Sequence, residues 1–94
     1  MKPRLLLRER RIVSEDRFAE MVIWKLPKPV PGSAHTFKYR LAFVVKGVCV
    51  LRFDNESGKG DHKHVGAREA PYAFTSLEQL VADFLKETDK WSLP

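Results

Sequence analysis

The side chains best suited to chemistry in this chain are concentrated between residues 52 and 66. This stretch of fifteen residues contains two of the three histidines, two aspartates, three cationic side chains and three glycines, directly after an apolar segment. So many charged groups could not leave water for a core without partners. Their density also exceeds what a simple connector needs. We therefore expect any active or binding surface to lie here.

Two histidines of this segment, His62 and His64, are separated by one residue, which places both imidazoles on one face if the chain is extended. Imidazoles titrate near neutrality, so one can accept a proton from an attacking hydroxyl while the other donates one to a leaving oxygen. The nearby cations Arg52, Lys59 and Lys63 could bind a phosphate and stabilise its charge in the transition state. Such a set would cut RNA through its 2′-hydroxyl without a metal.

Two other interpretations of the same residues stay open. His62 and His64, with Asp54 or Asp61, are acceptable ligands for zinc or manganese, although no matching ligand motif occurs elsewhere in the sequence. Alternatively, the segment is a solvated loop whose histidines make structural hydrogen bonds. Spacing alone favours the solvated loop, then phosphate chemistry, then a metal. The Gly-Lys-Gly run at 58–60 lacks the full P-loop pattern, so we expect a flexible turn that brings Asp61 and His62 close to Asp54.

Composition restricts the class of protein. A chain of 94 residues with 44% hydrophobic residues can bury a single core and is unlike a disordered segment. No apolar run is long enough to span a bilayer and no signal peptide is recognisable, so we expect no membrane partner. The only cysteine, Cys49, excludes an internal disulfide and denies a metal site a second thiolate. These features predict a single domain, residues 1–94, in the cytoplasm.

Charge is unevenly distributed along the chain. The whole sequence has a net charge of +5, whereas residues 75–94 contain two lysines against four carboxylates, so the first 74 residues carry +7. A basic body with a mildly acidic carboxyl-terminal segment is typical of a polyanion-binding surface. Contact with RNA would then depend on phosphate pairing and would weaken with salt.

One helix is predicted over residues 75–91. Thr75 and Glu78 form a capping-box pattern, in which each side chain bonds a free backbone N–H group of the first turn. Apolar residues then recur at helical spacing, with charged residues largely on the other side; the apolar set is Leu77, Leu80, Val81, Phe84, Leu85 and Trp91. We expect this face to pack on a sheet, and we assign the helix no catalytic role.

The first 74 residues are predicted to be mainly β. Alternating segments indicate strands over 4–13, 18–26, 35–45, 48–54 and 62–65, with a further short one over 72–74. Three prolines between Leu26 and Ser33 end the second strand and form a stiff connector. Since each layer must cover the apolar face of another, we predict an α+β fold. It is a twisted antiparallel β-meander of about five strands, with the carboxyl-terminal helix packed on one face.

A two-residue turn at 46–47 is predicted to join the third and fourth strands, because its glycine suits a positive φ. A regular ladder from that turn places Leu41 opposite Arg52 and Tyr39 opposite Asp54 on one face of the sheet. We therefore expect Tyr39, Arg52 and Asp54 to cluster at the rim of the core, where the glycine-containing loop begins.

Several longer motifs resemble the TumE family of bacterial toxin–antitoxin systems, from about residue 5 to residue 91. The distinctive parts are Arg-Phe-Asp-Asn at 52–55, Gly-Lys-Gly-Asp-His-Lys-His at 58–64 and Tyr-Ala-Phe-Thr-Ser-Leu at 72–77. The resemblance implies a small toxin encoded beside an antitoxin with a helix-turn-helix DNA-binding domain, toxic when free and neutral in the complex. A toxin of this size usually acts on an abundant polyanion such as messenger or ribosomal RNA.

These considerations predict a toxin that cleaves RNA without a metal or other cofactor. His62 and His64 would be acid and base, Arg52 the phosphate anchor and Asp54 an orienting carboxylate. The residues predicted to bind substrate are Tyr39, Arg40, Asn55, Lys59 and Lys63. The alternatives are a non-catalytic nucleic-acid- or protein-binding module and a metal-dependent hydrolase that uses His62 and His64. A homodimer is an open possibility.

Overall fold

Six antiparallel strands and one carboxyl-terminal helix make up residues 2–92, the part of the chain that the computed structural model describes. The strands pair in chain order, as a meander. This confirms the predicted α+β class, with six strands in place of about five. The elements are β1 (Arg4–Ser14), β2 (Arg17–Lys25), β3 (Phe37–Val45), β4 (Val48–Asp54), β5 (His62–Val65), β6 (Arg68–Pro71) and α1 (Leu77–Ser92).

The core lies between α1 and one face of the sheet. Phe84 of α1 is fully buried and meets Phe53 of β4 edge-to-face, with ring centroids 5.8 Å apart. Burying a side chain of this size contributes roughly 1.5–3 kcal/mol. The other fully buried apolar side chains are Met21, Leu41, Phe43, Leu51 and Leu80. In the described part of the chain, no helix is long and apolar enough to cross a bilayer.

Two predicted boundaries near the helix are wrong. The cap is Ser76 rather than Thr75, because α1 begins at Leu77 and the Ser76 hydroxyl accepts the Gln79 N–H at 3.1 Å. The last strand is Arg68–Pro71 rather than residues 72–74, because a turn after Val65 returns the chain directly beside β5.

A β-bulge interrupts the pairing between β3 and β4. Cys49 pairs with Val44, but the next partner of β3 is Leu51, which pairs with Phe43. Val50 is therefore left without a partner on β3. A bulge of this kind adds one residue to one strand and changes the register of everything beyond it.

The bulge overturns the predicted register of the hairpin. Arg52 pairs with Ala42 and Asp54 pairs with Arg40, where a regular ladder would have paired them with Leu41 and Tyr39. Since successive residues of a strand point to opposite faces, Arg52 and Asp54 lie on the face of the sheet away from α1. The predicted placement of Tyr39 on one face with these two side chains is wrong for the same reason, although Tyr39 lines a recess together with them.

The proline-containing connector is held against the loop between β4 and β5. Gly32 and Gly60 have positive φ values of 94° and 74°. A Cβ atom on Gly60 would lie 2.8 Å from the Gly32 carbonyl oxygen, so the backbones approach too closely for any side chain. Beside them, the Gly58 N–H donates to the Pro31 carbonyl at 2.8 Å. The connector thus fixes the loop that leads into β5.

Candidate functional site

The four residues predicted to be catalytic lie together on the sheet face away from α1. Asp54 and Arg52 of β4 stand directly opposite His62 and His64 of β5, respectively. The two imidazole rings have centroids 5.0 Å apart and an interplanar angle of 74°. These four residues are called the histidine cluster below. Their alternate positions on two adjacent strands bring them to one face.

A continuous line of contacts joins the histidine cluster. His62 Nε2 lies 2.7 Å from Asp54 Oδ1, and Asp54 Oδ2 lies 2.9 Å from Arg52 Nε. At the far end, Arg52 Nη2 lies 2.9 Å from His64 Nε2. Within residues 2–92, the buried atoms Arg52 Nε, Asp54 Oδ1 and His62 Nε2 have no aligned hydrogen-bond partner. Asp54 is therefore held by close charge contacts that an incoming group can exchange.

His62 lies between two hydrogen-bond acceptors. Its Nδ1 is 2.9 Å from the Gly60 carbonyl oxygen, and its Nε2 faces the Asp54 carboxylate. A carbonyl and a carboxylate oxygen both accept and neither donates. The Nδ1–H group of His62 can therefore donate to the Gly60 carbonyl, while Nε2 lies against the Asp54 carboxylate without an aligned hydrogen bond.

His64 lies in the opposite environment. Its Nε2 faces the Arg52 guanidinium, which donates and has no acceptor. Nε2 must therefore accept, and the ring proton belongs on Nδ1, which is 3.9 Å from Glu69 Oε2. The two neighbouring histidines thus have opposite hydrogen-bonding surroundings, two acceptors at His62 and a donor at His64 Nε2.

The cluster is accessible from one side only. The His62 side chain is 5% exposed and Asp54 14%, whereas Arg52 is 32% exposed and His64 26%. A recess of about 330 Å³ adjoins them, lined by Lys38, Tyr39, Arg40, Arg52, Asp54, Asn55 and Glu56. A substrate entering from solvent would meet Arg52 and His64 first, with Asp54 between His62 and the recess.

Three residues of the cluster also form a set that could hold a metal ion. Asp54, His62 and His64 each offer one ligand atom, and these atoms lie within 4.8 Å of one another. Two imidazoles and a carboxylate suit zinc or manganese, and the contact of His62 Nδ1 with a backbone carbonyl is typical of a metal-binding histidine. Arg52 now occupies the lone pair of His64 Nε2, so an ion could use that atom only after Arg52 moved.

Two residues predicted to bind substrate, Tyr39 and Asn55, are instead buried and form hydrogen bonds within the protein. Tyr39 is 3% exposed, and its hydroxyl donates to Asp61 Oδ2 at 2.7 Å. Asn55 is 1% exposed; its side-chain oxygen accepts the Tyr39 N–H, and its Nδ2 donates to the Phe37 carbonyl at 2.6 Å. Asn55 thus ties the end of β4 to the start of β3, and Tyr39 ties β3 to the loop before β5.

The three predicted substrate-binding cations lie in different places. Arg40 is exposed, stands opposite Asp54 and lines the recess. Lys59 is exposed in the loop and pairs with Glu56 at 3.8 Å. Lys63 points to the α1 side of the sheet, where its Nζ lies 5.9 Å from the centre of the Phe53 ring. Of the three, Arg40 is the one that the structure brings beside the histidine cluster.

Sequence reasoning missed a second polar network, centred on Asp61. Its carboxylate accepts hydrogen bonds from Ser33 at 2.7 Å and Tyr39 at 2.7 Å, and contacts His35 Nε2 at 2.6 Å. His35 Nδ1 accepts the Phe37 N–H, so Nε2 carries the ring proton. His35 was predicted to begin the strand 35–45, but β3 begins at Phe37 and leaves His35 in the connector beside Ser33. No sequence signal indicated that these two residues contact Asp61.

The Asp61 network shifts two pKa values in opposite directions. Burial acts to raise the pKa of the Asp61 carboxyl, but the hydrogen bonds from His35, Tyr39 and Ser33 outweigh it and leave the pKa below its ordinary value. Burial, followed by the hydrogen bond to Asp61, raises the pKa of Tyr39 well above its ordinary value. The network therefore fixes an ionised Asp61 beside a neutral Tyr39.

Comparison with protein families gives one match, to a family described as Toxin TumE, over residues 2–92. The matched range covers nearly the whole chain and includes the histidine cluster and the Asp61 network. No curated protein and no solved structure matches the chain significantly. A toxin of this kind implies an antitoxin partner. The chain therefore belongs to the TumE family, the toxins of a bacterial toxin–antitoxin system.

Proposed function

We propose that this toxin acts on RNA and cleaves its phosphodiester bonds by acid–base chemistry at the histidine cluster. The supporting observation is the opposite surroundings of the two histidines, since His62 faces two acceptors and His64 faces a donor. Transfer of a phosphoryl group from one oxygen to another needs a base and an acid at the same time. Two imidazoles 5.0 Å apart, one beside acceptors and the other beside a donor, suit those two roles.

Arg52 is the proposed phosphate anchor. A guanidinium binds phosphate through two parallel hydrogen bonds, which a lysine cannot reproduce. Phosphate oxygens would compete with Asp54 and His64 for the same N–H groups. When Arg52 turns to the phosphate, it uncovers the lone pair of His64 Nε2. Substrate binding would thus activate the base.

The bond changes balance without any further reactant. His64 Nε2 takes the proton of the ribose 2′-hydroxyl, and the 2′-oxygen forms a bond to phosphorus. The bond from phosphorus to the 5′-oxygen breaks, and that oxygen receives a proton from the His62–Asp54 pair. His62 is buried, so its proton reaches the recess by way of the Asp54 carboxylate. The products are a 2′,3′-cyclic phosphate and a 5′-hydroxyl end.

A metal-dependent hydrolase is the second candidate, favoured by the 4.8 Å grouping of Asp54, His62 and His64 ligand atoms. Zinc or manganese at these atoms would supply a metal-bound nucleophile. The residues fit such an ion only if Arg52 withdraws from His64. The two candidates therefore place different groups on the phosphate, the guanidinium in one and the ion in the other.

The deciding experiment incubates purified toxin with single-stranded RNA, with and without EDTA, and identifies the new ends. Cleavage that survives EDTA, leaves 2′,3′-cyclic phosphates and is absent from His62→Ala/His64→Ala supports the acid–base proposal. Cleavage abolished by EDTA and restored by manganese or zinc would replace it with the metal-dependent reaction. RNA binding without cleavage by the wild type would leave a non-catalytic binding module.

We further propose that the neutralising partner is an antitoxin with a helix-turn-helix domain, encoded by the neighbouring gene, and that the toxin acts in the cytoplasm. The family membership supports an antitoxin in general. Co-expression of the adjacent reading frame should abolish toxicity and yield a stable complex. An adjacent gene without such a domain would contradict the proposed type of antitoxin.

A further inference from the structure

A row of side chains crosses the open sheet face beside the histidine cluster. Starting at His62, the residues directly opposite one another on successive strands are Asp54, Arg40, Val22 and Arg8. Neighbouring strands lie about 4.8 Å apart, so Arg40 is one strand from Asp54 and Arg8 is three. Directly opposed residues project to the same face. The cluster therefore stands at one end of a cationic row.

Four cations on this open face have no carboxylate partner. Within the range 2–92, Arg8, Arg10, Lys38 and Arg40 lie farther than 4.0 Å from every carboxylate oxygen. Arg10 instead lies over the Phe18 ring, 4.1 Å from its centre. Glu20, opposite Arg10, and Asp54, opposite Arg40, lie on the same face, but the cations outnumber the carboxylates there. An excess of cations on one surface produces a positive potential that attracts a polyanion.

Trp24 stands at the far side of this cationic surface. It is half-buried and pairs with Lys38 across β2 and β3. A recess of about 210 Å³ is lined by Val22, Trp24, Lys38, Tyr39 and Arg40. Lys38 and Arg40 also line the recess that reaches Arg52 and Asp54. The two recesses therefore adjoin each other along Lys38, Tyr39 and Arg40, between Arg52 and Asp54 of the histidine cluster and the Trp24 ring; together they are called the track below.

We infer that this track binds single-stranded RNA, with phosphates on Arg40 and Lys38 and an unpaired base stacked on Trp24. The inference rests on the proposed function and extends it by naming the form of the substrate and how it is held. A cationic groove with an aromatic side chain is the arrangement that binds single strands, because every base offers a π-face. A duplex keeps its bases stacked on each other and has none free for Trp24.

Tryptophan fluorescence tests the stacking directly. Trp91→Phe leaves Trp24 as the single indole, and Trp24→Phe leaves only Trp91, which packs against the core from α1. The ligand is a short single-stranded oligonucleotide with 2′-O-methyl riboses, which cannot be cleaved through the 2′-hydroxyl. We expect quenching in the protein that retains Trp24 and none in the protein that retains Trp91. Trp24→Ala should weaken binding about 5- to 150-fold.

Salt dependence tests the cations. Each lost phosphate contact should lower the slope of log affinity against log salt by about 0.7 for a single strand, so Lys38→Ala/Arg40→Ala should lower it by about 1.4. The matched control is Arg68→Ala/Lys86→Ala, which removes the same charge from exposed positions on the α1 side. That variant should keep the wild-type slope. Equal slopes in both double variants would overturn the inference.

The outcomes separate this inference from the proposed chemistry. Quenching of Trp24 without any cleavage of ordinary RNA would contradict the proposed function and leave the track standing. Cleavage with an unquenched Trp24 and an unchanged KM in Lys38→Ala/Arg40→Ala would overturn the track alone. A duplex RNA that binds as tightly as the single strand would also overturn it, as would the absence of binding at low salt.

Discussion

Arg52 and His64 face each other across β4 and β5, with the guanidinium Nη2 2.9 Å from the imidazole Nε2. The phosphate anchor and the base of the proposed reaction are therefore in contact before substrate arrives. Because the guanidinium donates, it keeps the His64 lone pair directed into the cluster and unavailable to other donors. In the proposed reaction, the same movement of Arg52 therefore binds the phosphate and frees His64 to act as the base.

Replacing Arg52 tests this coupling. We expect Arg52→Lys to lower kcat for RNA cleavage by about 10²- to 10³-fold, since it removes a donor fork aimed at the developing charge. The measurement is the rate of cleavage of a labelled single-stranded RNA at saturation. Arg68→Lys, an exposed position on the α1 side of β6, is the control and should retain full activity. A kcat equal to that control would remove Arg52 from the mechanism.

The two histidines should control opposite limbs of the pH profile. An acid and a base that act together give a bell-shaped dependence of kcat/KM on pH. His64 is the proposed base and acts when deprotonated, so His64→Ala should abolish the rise of activity with pH on the acid side. His62 is the proposed acid and acts when protonated, so His62→Ala should abolish the fall of activity on the alkaline side. Profiles measured in EDTA should have the same shape. Loss of the same limb in both variants would contradict separate roles.

The Asp61 network should contribute to stability above acid pH. The pKa of Asp61 is lower in the folded protein than its ordinary value of 3.8. Its contribution is therefore fully present above that pH and is lost as the pH falls through the folded-state pKa. Asp61→Asn should cost about 1–3 kcal/mol at neutral pH, because it weakens three hydrogen bonds at a buried site.

The measurement is urea denaturation between about pH 5 and pH 2, where such a carboxyl loses its effect. Stability should fall less steeply with acid in Asp61→Asn than in the wild type. Asp83 has a lowered pKa too, through hydrogen bonds from Tyr72 and Gln79, so part of the dependence should remain. Asp89→Asn, at an exposed helix position, is the control. Parallel acid curves for Asp61→Asn and the wild type would contradict the expectation.

Phe84 should be the helix residue on which packing depends most. It is 0% exposed and contacts Phe53 edge-to-face. Phe84→Ala should lower the free energy of unfolding by roughly 3–5 kcal/mol, by lost burial and an unfilled cavity. Lys86→Ala, exposed in the middle of the same helix, should stay within about 0.5 kcal/mol. A small change at Phe84 would show that α1 contributes little to the core.

Gly47 and Gly60 allow the cost of a left-handed backbone conformation to be measured separately from the cost of a steric clash. Gly60 and Gly47 have similar φ values of 74° and 78°, but a Cβ on Gly47 meets nothing within 4 Å. Gly47→Ala should cost about 1–2 kcal/mol for the left-handed conformation alone. Gly60→Ala should cost about 1–3 kcal/mol more, because its Cβ collides with the Gly32 carbonyl. Equal midpoints in thermal denaturation would exclude a tight connector–loop contact.

The sequence predicted the elements well where a local pattern decides them. The turn at 46–47 is confirmed, since both Lys46 and Gly47 have positive φ. The helix was readable from its apolar spacing, although the cap moved from Thr75 to Ser76. The sequence did not predict β6, because its four residues, Arg68–Pro71, do not alternate in polarity and include a proline, which is uncommon in strands.

The sequence predicted that the four proposed catalytic residues lie together, but not on which face of the sheet. Arg52, Asp54, His62 and His64 do meet. Their placement at the core rim was wrong, because a bulge depends on how two strands twist together and has no signature in the valine at position 50. The contacts of Asp61 with Ser33 and His35 could not be predicted either, since these residues lie in the connector between β2 and β3, 28 and 26 residues away.

Val50 has no partner on β3, although its carbonyl accepts the Gly66 N–H at 2.8 Å, and it separates two regular parts of the pairing between β3 and β4. From the turn to Cys49 the residues of β3 and β4 pair without interruption, and from Leu51 onward they do so again. Residue 50 is the one extra residue between these two parts. A descendant that lost residue 50 could pair Cys49 and Leu51 in an unbroken ladder and still present Arg52 and Asp54 outward. Insertion or deletion of one residue just before Arg52 would instead turn the Arg52 and Asp54 side chains to the sheet face that packs on α1. Among relatives, we therefore expect insertions and deletions in this hairpin to occur at the position of residue 50.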